Sequence, residues 1–397
     1  MKQADGTVNL TNWSVYNMAS LFLTKKAFES IDDTSLEYKI VSKQTKVYVD
    51  LSKEELIDLL EPGDDCLGYG SNPLFDFQED HTNVSFCAAK ETFDQIKNGE
   101  YSAFGQFPDG IFVLDVDEKT VNNLKDAYGV LCMTESNIDF SMLTQSHREF
   151  CEREEKDKAV DYDLLPKPSH LTVSQLIPED VLLPCNSIVV IDKYLFKDDR
   201  DGNCLVEILS RLLNRRLNKS YCHLLIIFDN SDAGPTEDMR KDAFRNIVTG
   251  LQPAIEKVND LHIKVEFLAG DFNPPKIFED MHNRKIITNY SVITAEHGFG
   301  MYNKGNQMKW DQKFTVESLY SDGINTSSTT PEKERQIIMR KVCSIVKYAN
   351  EKFDKTNPRP KFRFGQDSKA NPNKISPKDM INRLVRFFLN NAENLHS

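Results

Sequence analysis

No stretch of the 397-residue sequence approaches the roughly 18 consecutive apolar residues that a membrane-crossing helix needs. The nearest run, Tyr16 to Leu23, is short, broken by Asn17 and Ser20, and preceded by acidic Asp5. It reads as a helix docked on a core, not as a leader or an anchor. The eight cysteines are scattered, with no Cys-x-x-Cys pair and no nearby Cys/His set. That spacing argues against a structural zinc site and predicts reduced thiols, no metal and a cytoplasmic chain. The sequence also lacks a Gly-x-x-x-x-Gly-Lys-Ser/Thr loop, which disfavours a nucleotide-driven motor. There is neither an internal repeat nor a low-complexity tract. What is present, 40% apolar residues with 28% charged ones, describes a globular chain large enough for two or three domains with full cores.

Charge is divided unevenly along the chain. Residues 1–200 hold 19 basic and 37 acidic side chains, a balance of −18, whereas residues 201–397 hold 30 and 24, a balance of +6. A phosphate-seeking surface therefore belongs to the second half, and the acidic first half argues against indiscriminate coating of nucleic acid.

Residues 1–145 alternate short strand-like runs (Lys46–Asp50, Val84–Cys87, Ile111–Leu114) with helical ones (Lys53–Leu60, Ala89–Ile96, Glu118–Tyr128). The pattern predicts an α+β domain with a sheet of its own. Residues 146–180 are charged, contain prolines and show little periodic apolar content, as a linker does. From Val181 the character changes. Ser187–Ile191, His223–Phe228 and Ile263–Leu268 are apolar strand-like runs separated by helical stretches Leu205–Leu217 and Arg240–Val258. Strand, helix, strand, helix, strand predicts an α/β domain with a largely parallel sheet, here over residues 181–325. Ligands of such sheets sit beyond the carboxyl ends of the strands. Those ends are the polar clusters Asp192-Lys193-Tyr194 and Asp229-Asn230-Ser231-Asp232.

Residues 326–397 close the chain with two helices. The first opens at Thr330-Pro331 and carries Ile337, Ile338, Val342, Ile345 and Val346 on one face. The second follows Ser376-Pro-Lys-Asp379, which has the form of a capping box, and carries Ile381, Leu384, Val385 and Phe388. This pair either covers the protein's own sheet or faces a protein partner. The basic connector between them places Phe362 and Phe364 among Lys361 and Arg363, a mixture that also suits nucleic acid.

The sharpest local pattern is His282-Asn-Arg284 followed by Asn289. On an extended strand His282 and Arg284 share a face, and a turn near Asn289 would bring an imidazole, a guanidinium and an amide together. An arginine fork matches two phosphate oxygens, a histidine can attack, donate or protonate, and an asparagine can orient. His297, beside Gly298, is a further candidate for the same pocket.

His282-x-Arg284-x4-Asn289 resembles the His-x-Lys-x4-Asp motif of the phospholipase D superfamily, with Arg and Asn in place of Lys and Asp. It is closer to the degenerate phospholipase-D-like domain that follows microtubule-interacting-and-transport domains. The likeness runs on to His297-Gly-Phe-Gly300, and upstream to Ile191-Asp-Lys-Tyr194, covering residues 180–310. The resemblance implies an α/β fold and recognition of phosphate, as in a nucleic acid or a phospholipid headgroup, by His282, Arg284 and Asn289. Asp192, Lys193, Tyr194, Asn230 and His297 stand as pocket candidates. Active members carry two facing histidine motifs, and only one is present here. His262-Ile-Lys264 begins like a second, but Ala269 stands where Asp is required. Metal-independent phosphodiester cleavage, with His282 catalytic, would thus need a two-fold dimer to complete the site. The expected function is a catalytically degenerate, phosphate-recognising protein in a bacterial defence or regulatory setting. Phosphodiesterase or nuclease activity, and a protein-interaction scaffold, are the alternatives.

Two other patterns read as structural. Asp115-Val-Asp117 is similar to the Asp-x-Asp loop of haloacid-dehalogenase phosphatases, but Glu118-Lys119 follow it where that family requires other residues, and Asp117 reads better as a helix cap. Asp198-Asp-Arg-Asp201-Gly202 lacks the alternating ligands and closing Glu of a calcium loop and reads as a solvated turn.

Overall fold

The computed structural model describes residues 20–31, 46–60, 85–145, 147–151, 172–198, 203–213, 217–229, 236–270, 284–296, 298–300, 313–319, 331–352, 362–365 and 382–393. The chain forms two compact units, Met1–Asn123 with Leu131–Phe140, and Leu124–Val130 with Ser141–Ser397. Among the described residues no helix is long and apolar enough to cross a membrane.

The first unit is built on strands β1 (Ser20–Leu23), β2 (Lys46–Val49), β3 (Ser85–Ala88), β4 (Ile111–Leu114) and β5 (Leu131–Thr134). They form a five-stranded sheet in the order β3-β2-β1-β4-β5, and every pairing is parallel. Helices α1 (Lys25–Glu29), α2 (Lys53–Leu60), α3 (Lys90–Lys97), α4 (Ser102–Gln106) and α5 (Glu118–Tyr128) alternate with the strands. The expected sheet is present, but its layout is that of an α/β unit, not an α+β one.

The run expected to form a helix at Tyr16–Leu23 is corrected at its described end. Ser20–Leu23 is the central strand, and all four residues are buried. A strand covered on both faces loses the polar alternation that distinguishes it from a buried helix. Phe22 explains why this segment is central: its ring stacks on Tyr48 and on Phe112, each at 4.5 Å, joining three neighbouring strands through one aromatic ladder.

Asp117 is a helix cap, as its position suggested. Its carboxylate accepts the Thr120 amide at 2.6 Å. That bond holds the Asp117 carboxyl below the usual carboxylate range. A lowered folded-state pKa means the stabilisation is present above the unfolded carboxylate pKa and is lost as pH falls through the folded value. Asp117→Ala is accordingly expected to lower the melting temperature at neutral pH, with the gap to the parent closing in acid. A gap that stays constant with pH would show that the cap contributes no charge-dependent stability.

The second unit holds β6 (His147–Cys151), β7 (Ser187–Ile191), β8 (Cys222–Asp229), β9 (Ile263–Gly270), β10 (Arg284–Ile287), β11 (Ser291–Ala295), β12 (Lys313–Ser318) and β13 (Phe362–Gly365). These make an eight-stranded sheet, β13-β9-β8-β7-β10-β11-β12-β6. β7, β8 and β9 are parallel, and the remaining strands pair antiparallel on either side of them. The expectation of a largely parallel sheet is corrected: the sheet is mixed, and the expected parallel strands β9, β8 and β7 are its second to fourth strands, flanked by antiparallel neighbours.

Helices α6 (Ser141–Gln145), α7 (Val173–Leu176), α8 (Leu195–Asp198), α9 (Asn203–Leu212) and α10 (Glu237–Glu256) precede or separate these strands, and α11 (Pro331–Lys352) and α12 (Arg383–Glu393) close the chain. Strand alternation assigns the two faces. Ile188, Val190, Leu224, Ile226, Phe228, Val265 and Phe267 form one core with Leu205, Ile208 and Leu209 of α9 and Phe244, Val248 and Ile255 of α10. On the other face α12 packs on β7, and α11 packs on β11 and α12.

The closing helices thus cover the chain's own sheet. Ile338, Val342, Ile345, Val346, Leu384, Val385 and Phe388 are buried, whereas Ile337 is 40% exposed and leaves the expected stripe. Thr330, Ser376–Asp379 and Ile381 lie outside the described residues. The cap of α12 is Asn382, whose Oδ1 accepts the Val385 amide at 3.3 Å. Arg335, fully buried, donates to the Asn289 carbonyl at 2.9 Å and so ties α11 to the sheet.

Candidate functional site at the carboxyl edge of the central strands

β7 ends at Ile191, and the next three residues form a polar cluster around a buried carboxylate. Asp192 is 1% exposed. Its Oδ1 accepts the Tyr194 amide and its Oδ2 the Phe299 amide, both at 2.9 Å. Because charge this deep needs compensation, the Arg284 guanidinium matters: its Nε stands 3.8 Å from Asp192 Oδ1. Gly298 makes the approach of the Phe299 amide feasible. It has φ +104°, and a Cβ there would lie 2.8 Å from Asp192 Oδ2. No other residue type fits without displacing the carboxylate.

Arg284 begins β10, whose antiparallel register places Lys285 opposite Ile191 and so brings Arg284 beside the end of β7. Its Nη1 donates to the Glu296 carbonyl at 2.6 Å. Lys193 points toward the end of β8, with its Nζ 3.9 Å from Asp229 Oδ2. Both cations lie near the Tyr194 ring: Lys193 Nζ is 5.2 Å and Arg284 Cζ 5.4 Å from the ring centroid. Both separations suit cation–π attraction.

Asn289 does not join them. The expected turn is present at Thr288–Tyr290, closed by the Thr288 amide on the Ser291 carbonyl at 2.9 Å. Yet the strand it follows carries the chain away from Arg284, so the two residues stand at opposite ends of β10, roughly 16 Å apart at 3.3 Å per residue. Asn289 is fully buried. Its Oδ1 accepts the Asn186 and Ser187 amides, each at 2.9 Å, and its Nδ2 donates to Asn186 Oδ1 at 2.8 Å. The assignment of Asn289 to a phosphate pocket is corrected: its amide clamps the start of β7 to the β10–β11 turn.

His282, His297 and Asn230 lie outside the described residues. The sequence did not single out Glu296 or the Phe299 amide. Gly298 was the available signal, since a glycine beside a strand end marks close backbone approach. Lys285 was also missed. It is 6% exposed and donates to Thr294 Oγ1 at 2.7 Å.

Among the described residues no group of three or more His, Cys, Asp or Glu side chains is placed to hold a metal ion. Cys87, Cys132, Cys185, Cys204, Cys222 and Cys343 form no disulfide. Burial pushes the Cys185 thiol up to about 12, which makes it a poor nucleophile at neutral pH. No family model matches the chain, and no curated protein or solved structure matches it either.

Proposed function

We propose that the chain recognises a phosphate group at the carboxyl edge of β7 and β8, as a degenerate phospholipase-D-like protein. Arg284 and Lys193 supply the positive charge, and both lie near the Tyr194 ring. His282, two residues before Arg284 in the sequence, is the candidate third member. The observation that carries this reading is the convergence of Arg284 and Lys193 on Tyr194, beyond the ends of parallel strands where such sheets bind ligands.

The chemistry common to a nucleic acid and a phospholipid headgroup is a phosphodiester, and bis(4-nitrophenyl) phosphate is a probe that reports both binding and cleavage. Calorimetric titration of the full chain should show binding that weakens with salt. Arg284→Ala and Lys193→Ala should each reduce affinity by about tenfold or more, the scale of a lost hydrogen bond to a charged group. Undiminished binding in both variants, with parental melting temperatures, would contradict the proposal. The same cuvette reads turnover: nitrophenolate release that disappears in His282→Ala would assign cleavage, and its absence from the parent fits recognition alone.

A further inference from the structure

The amino edge of the same sheet carries a second, separate cluster. Tyr221 directly precedes β8, and His262 directly precedes β9. The parallel register sets Cys222 opposite Ile263 and His223 opposite Lys264, so Tyr221 stands beside His262. The Tyr221 ring is met edge-on by the His262 ring at 5.7 Å and covered by Lys264 Nζ at 4.3 Å from its centroid. Tyr221 nevertheless remains 46% exposed, and His262 and Lys264 are exposed as well.

Arg383, the first residue of α12, anchors the group from the neighbouring helix. It donates to the Tyr221 carbonyl at 2.6 Å and to the Asn186 carbonyl at 3.4 Å. Lys219 and Arg386 add exposed positive charge on the adjoining loop and helix turn. Of the acids on these segments, Glu266 is fully buried and accepts the Asn382 amide at 2.8 Å. Asp260 is exposed, two residues ahead of His262. Among the described residues of these segments, Lys219, Lys264, Arg383 and Arg386 thus stand against exposed Asp260.

We propose that this edge binds single-stranded nucleic acid, with Tyr221 and His262 stacking on bases and Lys264, Arg383 and Arg386 following the phosphates. Exposed rings held in place beside cations are the elements of a stacking platform. An anionic membrane is a poorer fit, because the described residues of the patch offer no aliphatic anchor to bury in lipid. The eight residues of β8 separate it from the carboxyl-edge cluster by roughly 25 Å at 3.3 Å per residue. The inference therefore stands apart from the phosphate reading of Arg284 and Lys193.

Fluorescence anisotropy of a labelled oligothymidylate, titrated with the full chain over a range of salt, tests it. Binding should weaken as salt rises. Tyr221→Ala should reduce affinity at least about fivefold, the low end of one lost stacked base, whereas Tyr221→Phe should keep it. Lys264→Ala should weaken binding and flatten the slope of log K against log salt by about 0.7, the value for one phosphate contact on a single strand. These side chains are solvent-facing, and a melting curve on each variant confirms that it folds. The proposal is overturned if the parent does not bind, or if the folded Tyr221→Ala and Lys264→Ala variants bind as the parent does. It is equally overturned if phosphatidylserine vesicles bind through these residues and oligothymidylate does not.

Discussion

Replacing Asn289 by alanine is expected to lower the unfolding free energy by about 3–5 kcal/mol, because three buried groups lose their partner at once. The Asn186 and Ser187 amides and Asn186 Oδ1 are those groups. The site is buried completely, so water cannot replace the side chain without reorganising the strand start. Urea denaturation reads the loss. The fraction that remains folded should bind the phosphodiester probe as the parent does, since Asn289 is at the far end of β10 from Arg284. A stable Asn289→Ala protein that has lost phosphodiester binding would return Asn289 to the ligand site and remove the clamp described above.

The second large effect is expected at Asn382, which holds the closing helix on the sheet. Its Nδ2 donates to the Ile188 and His223 carbonyls, each at 3.0 Å, and its Oδ1 accepts the Val385 amide and the Ser187 hydroxyl. Asn382→Ala leaves two carbonyls of adjacent strands and the helix cap without that partner, at an expected cost of about 3–4 kcal/mol. The loss should be regional. Amides of α12 should lose protection from hydrogen exchange, while those of α10 on the opposite face stay protected. Unchanged α12 protection would mean that the apolar contacts of Leu384, Val385 and Phe388 hold the helix without the cap.

Much of the architecture could be read directly from local pattern, and the failures have physical causes. The helix Glu118–Tyr128 and the strands Ile111–Leu114 and Ser187–Ile191 occur where their apolar spacing put them. At the end of β7, Lys193 stands beside Tyr194 and reaches Asp229 at the end of β8. Ser20–Leu23 failed because a strand buried on both faces has no periodicity to read. The parallel layout of the first unit was hidden for a related reason, since strand direction is set by tertiary connection rather than by composition.

Asn289 misled for a different reason. A spacing of five residues places two side chains near each other only if the chain bends between them, and here β10 runs straight to a turn that begins beyond its end. The buried polar groups that hold the sheet's amino edge, Asn186, Ser187, Glu266 and Asn382, are brought together from positions far apart in sequence. No local pattern announces such a set.

The account rests on an anion seated between Arg284 and Lys193, and a crystal soaked with tungstate, a phosphate mimic with a strong anomalous signal, tests that most directly. An anomalous peak within hydrogen-bonding reach of the Arg284 guanidinium and beside Tyr194, absent from Arg284→Ala crystals, is the predicted result. No peak at that edge, or one that persists unchanged without the guanidinium, would contradict it.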